Sequence, residues 1–161
     1  MPSRSLGTLD RTRRIHAWLA SSLKEPEFAK EDWKRTGIAV LRCGVRFDVI
    51  RMHPDVVHAA IGTTSYAAIP AAVEAARLGP VIADHATHYY ALVPVGTVER
   101  WSDPHGEPRG IGAWVGVPRL DLRGPDGVYW ASPLEKPGSV CEPEAVAEFL
   151  DLGCTRLGGV A

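Results

Sequence analysis

Cysteine is scarce in this chain and lysine scarcer still relative to arginine. The three cysteines, Cys43, Cys141 and Cys154, are an odd number with no C-x-x-C pair and no zinc-finger spacing. That pattern argues against a disulfide framework and a cysteine-built zinc site, and it fits buried, reduced thiols in the cytoplasm. No run approaches the roughly 20 apolar residues that a membrane helix requires. The opening MPSRSLGTLDRTRR also lacks the apolar core of a secretory signal, so a soluble, cytoplasmic protein with no membrane partner is expected. An excess of one charge is missing too: 18 Lys and Arg stand against 19 Asp and Glu, a net charge of -1 with a pI near 6.6. No overall field therefore draws the chain to nucleic acid, and any such binding must be local. The basic residues are 14 arginines and 4 lysines, a bias that reflects composition more than a site, although arginine suits bidentate phosphate contacts.

What is present is enough for one domain. A chain of 161 residues with 45% hydrophobic content can bury a real core but not two. Between Leu9 and Lys24, the residues Ile15, Trp18, Leu19 and Leu23 recur at helical spacing beside Arg11, Arg13 and Arg14, predicting an amphipathic helix. Its arginines are either a solvated face or an arm that touches nucleic-acid phosphates or a protein partner. This helix and a linker occupy residues 1–35, the main domain spans 36–153, and a frayed tail covers 154–161.

Within the main domain, GIAVLRC and VRFDVIRM flank Cys43-Gly44 and read as a β-hairpin. Pro54, Pro70 and Pro143 mark the first turns of three short helices, with Gly79 and Gly153 as stops. PVIAD, HYYALVP and GAWVGV read as strands, whereas residues 99–109 are too polar and too rich in Pro and Gly to be regular and form an exposed loop. Successive strands without a helix between each pair point to an α+β fold with a mainly antiparallel sheet flanked by helices.

The stretch RLDLRGPDGVYWASP, residues 119–133, draws attention because LDLR and VYWA flank a Gly-Pro-Asp-Gly linker like the arms of a hairpin. Asp121 then sits inside a strand, an unfavourable place that calls for a cation, an arginine or solvent.

This segment resembles the last catalytic motif of the bifunctional DNA primase/polymerase (prim-pol) domain, within the archaeo-eukaryotic primases. The matching residues are Leu120-Asp121, Arg123-Gly124, Gly127 and Ala131-Ser132-Pro133. THYYALVP, residues 87–94, is similar to the family's second motif and puts His88 at the motif histidine. RFDVIRMHP, residues 46–54, resembles the first motif, a strand bearing Asp-x-Asp, but only Asp48 is present and Ile50 stands at the second carboxylate.

The resemblance implies a prim-pol-like, RNA-recognition-like sheet with the site on its face. It implies Asp48 and Asp121 as ligands of Mg²⁺ or Mn²⁺, His88 on the phosphates of a nucleotide, and Arg123 and Arg46 as neighbouring cations. Two-metal nucleotidyl transfer needs both ions, so Ile50 predicts weak or single binding and impaired catalysis, unless Asp55, Glu99, Asp84 or His85 substitutes. Three functions follow: a small stand-alone relative that binds nucleotide or single-stranded nucleic acid without efficient polymerisation; an active primase or polymerase; or a non-enzymatic module that holds a protein partner through the N-terminal helix or the 99–109 loop. His88 is otherwise an ordinary half-buried strand residue. Tyr89, Tyr90, Trp114, Tyr129 and Trp130 are either a stacking platform or core, with Trp101 the aromatic expected to be exposed.

Overall fold

The computed structural model describes residues 2–158; Met1 and the end of the expected tail, 159–161, lie outside the described residues. It is an α+β fold of two antiparallel sheets with helices on either side. α1 (Pro2–Ala20) and α2 (Pro26–Arg35) lead into β1 (Ile38–Arg42) and β2 (Asp48–Met52), which is followed by α3 (Pro54–Ile61) and α4 (Ile69–Ala75). β3 (Val81–Asp84) and β4 (His88–Val93) come next, then the short α5 (Thr97–Arg100), β5 (Gly106–Arg109), β6 (Trp114–Pro118), β7 (Val128–Ser132) and α6 (Pro143–Gly158). Among these helices none is long and apolar enough to cross a membrane.

Proline lies in the first turn of α3, α4 and α6 as expected, since its missing N–H costs nothing there. α3 begins at Pro54, its first turn further satisfied by His53, whose ring Nδ1 accepts from the Asp55 amide at 3.1 Å, and it ends at Gly62 with φ 77. Residues 26–35, expected as linker, form α2 instead; Pro26 opens it, and Ala29 and Trp33 fix it to the core.

β1 and β2 do not form the expected hairpin. The turn is there, closed by Gly44 N donating to Phe47 O at 2.8 Å, but β1 pairs with β6 and β2 with β4 and β5. The chain thus passes from a two-stranded sheet, β1-β6, into a five-stranded sheet ordered β5-β2-β4-β3-β7. Part of the expected 99–109 loop is likewise regular: Gly106–Arg109 is the edge strand β5, where Pro108 is tolerated because β2 is its sole ladder partner.

Strand parity divides the core. Ile50 and Met52 lie opposite Ala91 and Tyr89, and all four join the cluster under α3, α4 and α6 with Val56, Val146, Phe149 and Leu150. Val49 and Leu92 point the other way, into a cluster with Leu19, Trp33, Leu41, Phe47 and Trp130 beneath α1, α2 and the small sheet. The N-terminal helices therefore share a core with the sheet instead of standing apart from it.

α6 runs past its expected stop. Gly153 is buried, and a Cβ there would sit 2.2 Å from the Val56 carbonyl oxygen, so this glycine lets α6 lie against α3 and ends nothing.

Candidate functional site

The residues expected to form one metal site are held by different partners. Asp48 is buried on the α6-facing side, 2% exposed, in a strand position whose cost is offset by backbone amides. Its Oδ2 accepts from Gly96 N at 3.0 Å and Val98 N at 3.2 Å, the amides at the start of α5. Gly110 makes room, since a Cβ there would meet Val98 at 2.8 Å and the Asp48 Oδ1 at 3.3 Å.

Asp121 is not on a strand. After Pro118 ends β6, Leu122 N bonds Arg119 O at 3.0 Å, turning the LDLR segment into a tight bend that brings Asp121 near His16 of α1. Its exposed carboxylate is held by Arg119 through Nε at 2.5 Å and Nη2 at 3.2 Å, and this pairing keeps its pKa below the usual carboxylate range. Asp48 and Asp121 thus meet different partners, the α5 amides and Arg119, and among the described residues neither belongs to a group of three or more possible metal ligands.

The expected cations disperse as well. Arg46 donates through Nε to Ser21 Oγ at 2.8 Å, bracing α1, and Arg123 bonds Trp130 O and, at 2.6 Å, Glu74. Ile50 is core rather than a site wall. Tyr89, Tyr129 and Trp130 are fully buried, Trp101 is half-buried with its indole on Asp103 O and Gly106 O, and Trp114 is the exposed one at 54%. Tyr89 instead meets His58, whose Nε2 lies 2.8 Å from the phenol oxygen; burial pushes the tyrosine pKa up and the histidine pKa down.

His88 is where chemistry collects. On β2 and β4, Arg51 is directly opposite Tyr90, so His88, two residues before Tyr90, is its diagonal neighbour on the face turned away from α6. The Arg51 guanidinium donates to His88 Nε2, which makes that nitrogen the acceptor and leaves Nδ1 to carry the proton. Arg51 also faces Glu107 across the β2–β5 ladder at 3.7 Å, and Glu107 is held at 2.5 Å by Arg109. Beside this pair opens a cavity of about 490 Å³ lined by Arg51, His53, His88, His105 and Glu107. Three of the six histidines of the chain border it.

Next to that cavity, Asp103, His105 and Asp151 form a triad able to hold a metal ion, with one ligand atom from each lying within 4.8 Å of the others. His105 belongs to both features. The Arg51–His88 pairing was hidden in the sequence because it depends on strand register. The triad was hidden because Asp151 lies on α6, although the Asp103-Pro104-His105 spacing in a polar loop was a visible cue.

Comparison with known proteins adds no relative: no family model, no curated protein and no solved structure matches the chain.

Proposed function

We propose that this protein is a binding module without polymerase catalysis, which holds a nucleotide or a single strand of nucleic acid at the Arg51–His88 cavity. The observation that carries the reading is the meeting of a guanidinium and an imidazole on the sheet face opposite α3, α4 and α6, beside a cavity of about 490 Å³, within the size range of ligand pockets. Phosphate oxygens suit both groups: Arg51 as a fork of donors, His88 through Nδ1–H. Tyr90, on the same face and half-buried, adds an aromatic beside them.

Topology supports the ligand class. β2, the α3–α4 connection, β3, β4, α5 and β5 run in the order β-α-β-β-α-β, with β5 returning beside β2. In RNA-recognition sheets of this layout, bases are held on the sheet face by side chains of the strands. The prim-pol resemblance enters here as an expectation about ligand and not about reaction, because Asp48 is spent on the Gly96 and Val98 amides.

The test is polarisation binding of a labelled single strand and of a nucleoside triphosphate at low and high salt, paired with templated extension in Mg²⁺ and in Mn²⁺. Binding that weakens with salt and no extension product is expected. Arg51→Ala should weaken binding by roughly 10- to 150-fold, since a hydrogen bond to a charged group contributes roughly 1.5–3 kcal/mol. Robust extension, or no binding at low salt, would overturn the reading.

A second reading rests on the groove between α1 and α2. It encloses about 530 Å³ lined by Arg13, His16, Lys30, Lys34 and Arg119, and among the described residues neither Arg13 nor Lys34 is in an ion pair. An acidic segment of a protein partner fits this rim. Loss of ligand on Arg13→Ala/Lys34→Ala, with Arg51→Ala silent, would favour it.

A further inference from the structure

The triad of Asp103, His105 and Asp151 is built from two elements far apart in the chain. Asp103 and His105 come from the loop between α5 and β5, and Asp151 from α6. His105 Nδ1 lies 3.1 Å from Asp103 Oδ1 and 3.4 Å from Asp151 Oδ1. Around an ion about 2.0–2.2 Å from each donor, tetrahedral ligand atoms stand roughly 3.3–3.6 Å apart, so little rearrangement is needed to admit one.

The loop is preorganised for this. The His105 amide donates to Asp103 Oδ1 at 2.8 Å, and the Trp101 indole donates to the Asp103 and Gly106 carbonyls at 2.8 and 3.1 Å. The Asp103 side chain is only 12% exposed, whereas His105 at 42% and Asp151 at 60% leave a route for the ion and room for water ligands. Among the described residues no Lys or Arg pairs with either carboxylate. An imidazole in the donor set favours a zinc-class ion over Mg²⁺ or Ca²⁺, which prefer oxygen alone.

We propose that Asp103, His105 and Asp151 bind one divalent ion of the zinc class, which staples the 101–106 loop to α6. This does not rest on the nucleotide reading, and its test contains no nucleotide. Metal-stripped protein is titrated with Zn²⁺ and separately with Mg²⁺ by calorimetry, with thermal unfolding followed in parallel. Expected are one Zn²⁺ per chain, a raised Tm, no comparable Mg²⁺ uptake, and slower hydrogen exchange at residues 103–106. His105→Gln and Asp151→Asn, both at partly exposed side chains, should each weaken Zn²⁺ affinity by about tenfold or more, while His85→Gln, in the turn between β3 and β4, should not. Zn²⁺ binding that survives both triad variants would put the ion elsewhere and overturn the assignment, as would no Zn²⁺ uptake by folded protein. Equal affinity for Mg²⁺ would refute the zinc class.

Discussion

Gly153→Ala is a sharp test of the packing that carries α6. In an exposed helix interior this change is favourable by about 1 kcal/mol, because alanine loses less backbone freedom and is the better helix former. Here the added methyl would lie 2.2 Å from the Val56 carbonyl oxygen and 2.8 Å from its Cγ1. Ordinary contact begins near 3.4 Å, so the oxygen must retreat by about 1.2 Å (3.4 minus 2.2). A carbonyl inside a helix cannot swing aside like a side-chain tip, and α3 and α6 must separate. That loosens Val56, Val57 and Ala60 against Val146, Phe149 and Leu150, all in one cluster. Overpacking of this kind costs about 1–3 kcal/mol and more where backbone must move. Offset by the propensity gain, the net loss is about 2 kcal/mol, or a Tm lower by roughly 4–8 °C for a chain of this size. Gly158→Ala is the control, since nothing lies within 4 Å of its Cβ position. Thermal unfolding of the two variants side by side decides the matter. If Gly153→Ala unfolds at or above the Tm of the parent, α3 and α6 are not in the contact described.

Other consequences are as direct. Asp48→Ala removes the acceptor of the Gly96 and Val98 amides and should cost about 2–3 kcal/mol in urea unfolding; Asp48→Asn, which keeps one oxygen, should cost less. Asp121→Asn breaks only an exposed pair with Arg119 and should shift stability by less than about 1 kcal/mol, so a large drop would mean that Asp121 does more than meet Arg119. Burial lowers the pKa of both His16 and His58 from 6.5. As pH falls below 6.5 the unfolded chain takes up protons before the folded one does, so stability is complete above that value and is lost toward the lowered folded pKa values. The urea midpoint should drop between about pH 7.5 and about pH 5, and His16→Gln with His58→Gln should flatten that drop; an unchanged slope would refute it.

Much of the fold was legible where a residue type has one local meaning. Pro54, Pro70 and Pro143 mark the first turns of α3, α4 and α6, and the apolar runs at 81–84, 88–93, 114–118 and 128–132 became strands. The failures share a cause: each depended on what a segment packs against. LDLR has a strand's alternation, yet Pro118 and the Arg119–Leu122 turn prevent a ladder. Gly153 has the signature of a helix stop, yet the neighbouring α3 makes it a contact surface. The cost of a carboxylate in a strand, expected at Asp121, falls instead on Asp48. Its partner proved to be a pair of backbone amides about 50 residues away, donors that a side-chain motif search does not see. His88 held its interest for a reason the motif did not contain, its diagonal neighbour Arg51.

The indole of Trp130 has a bearing on self-association. A sheet of two strands offers raw edges on which another chain can grow. β6 ends at Pro118, which has no N–H to give, and the Pro118 carbonyl is taken by Trp130 Nε1 at 2.8 Å, while the Trp33 indole adds to the Val117 carbonyl at 2.9 Å. An incoming strand would find neither donor nor free acceptor at that end. The Pro118 end of β6 is thus closed to addition by a side chain from another element, and Trp130→Phe would free the Pro118 carbonyl there while leaving the ring to pack.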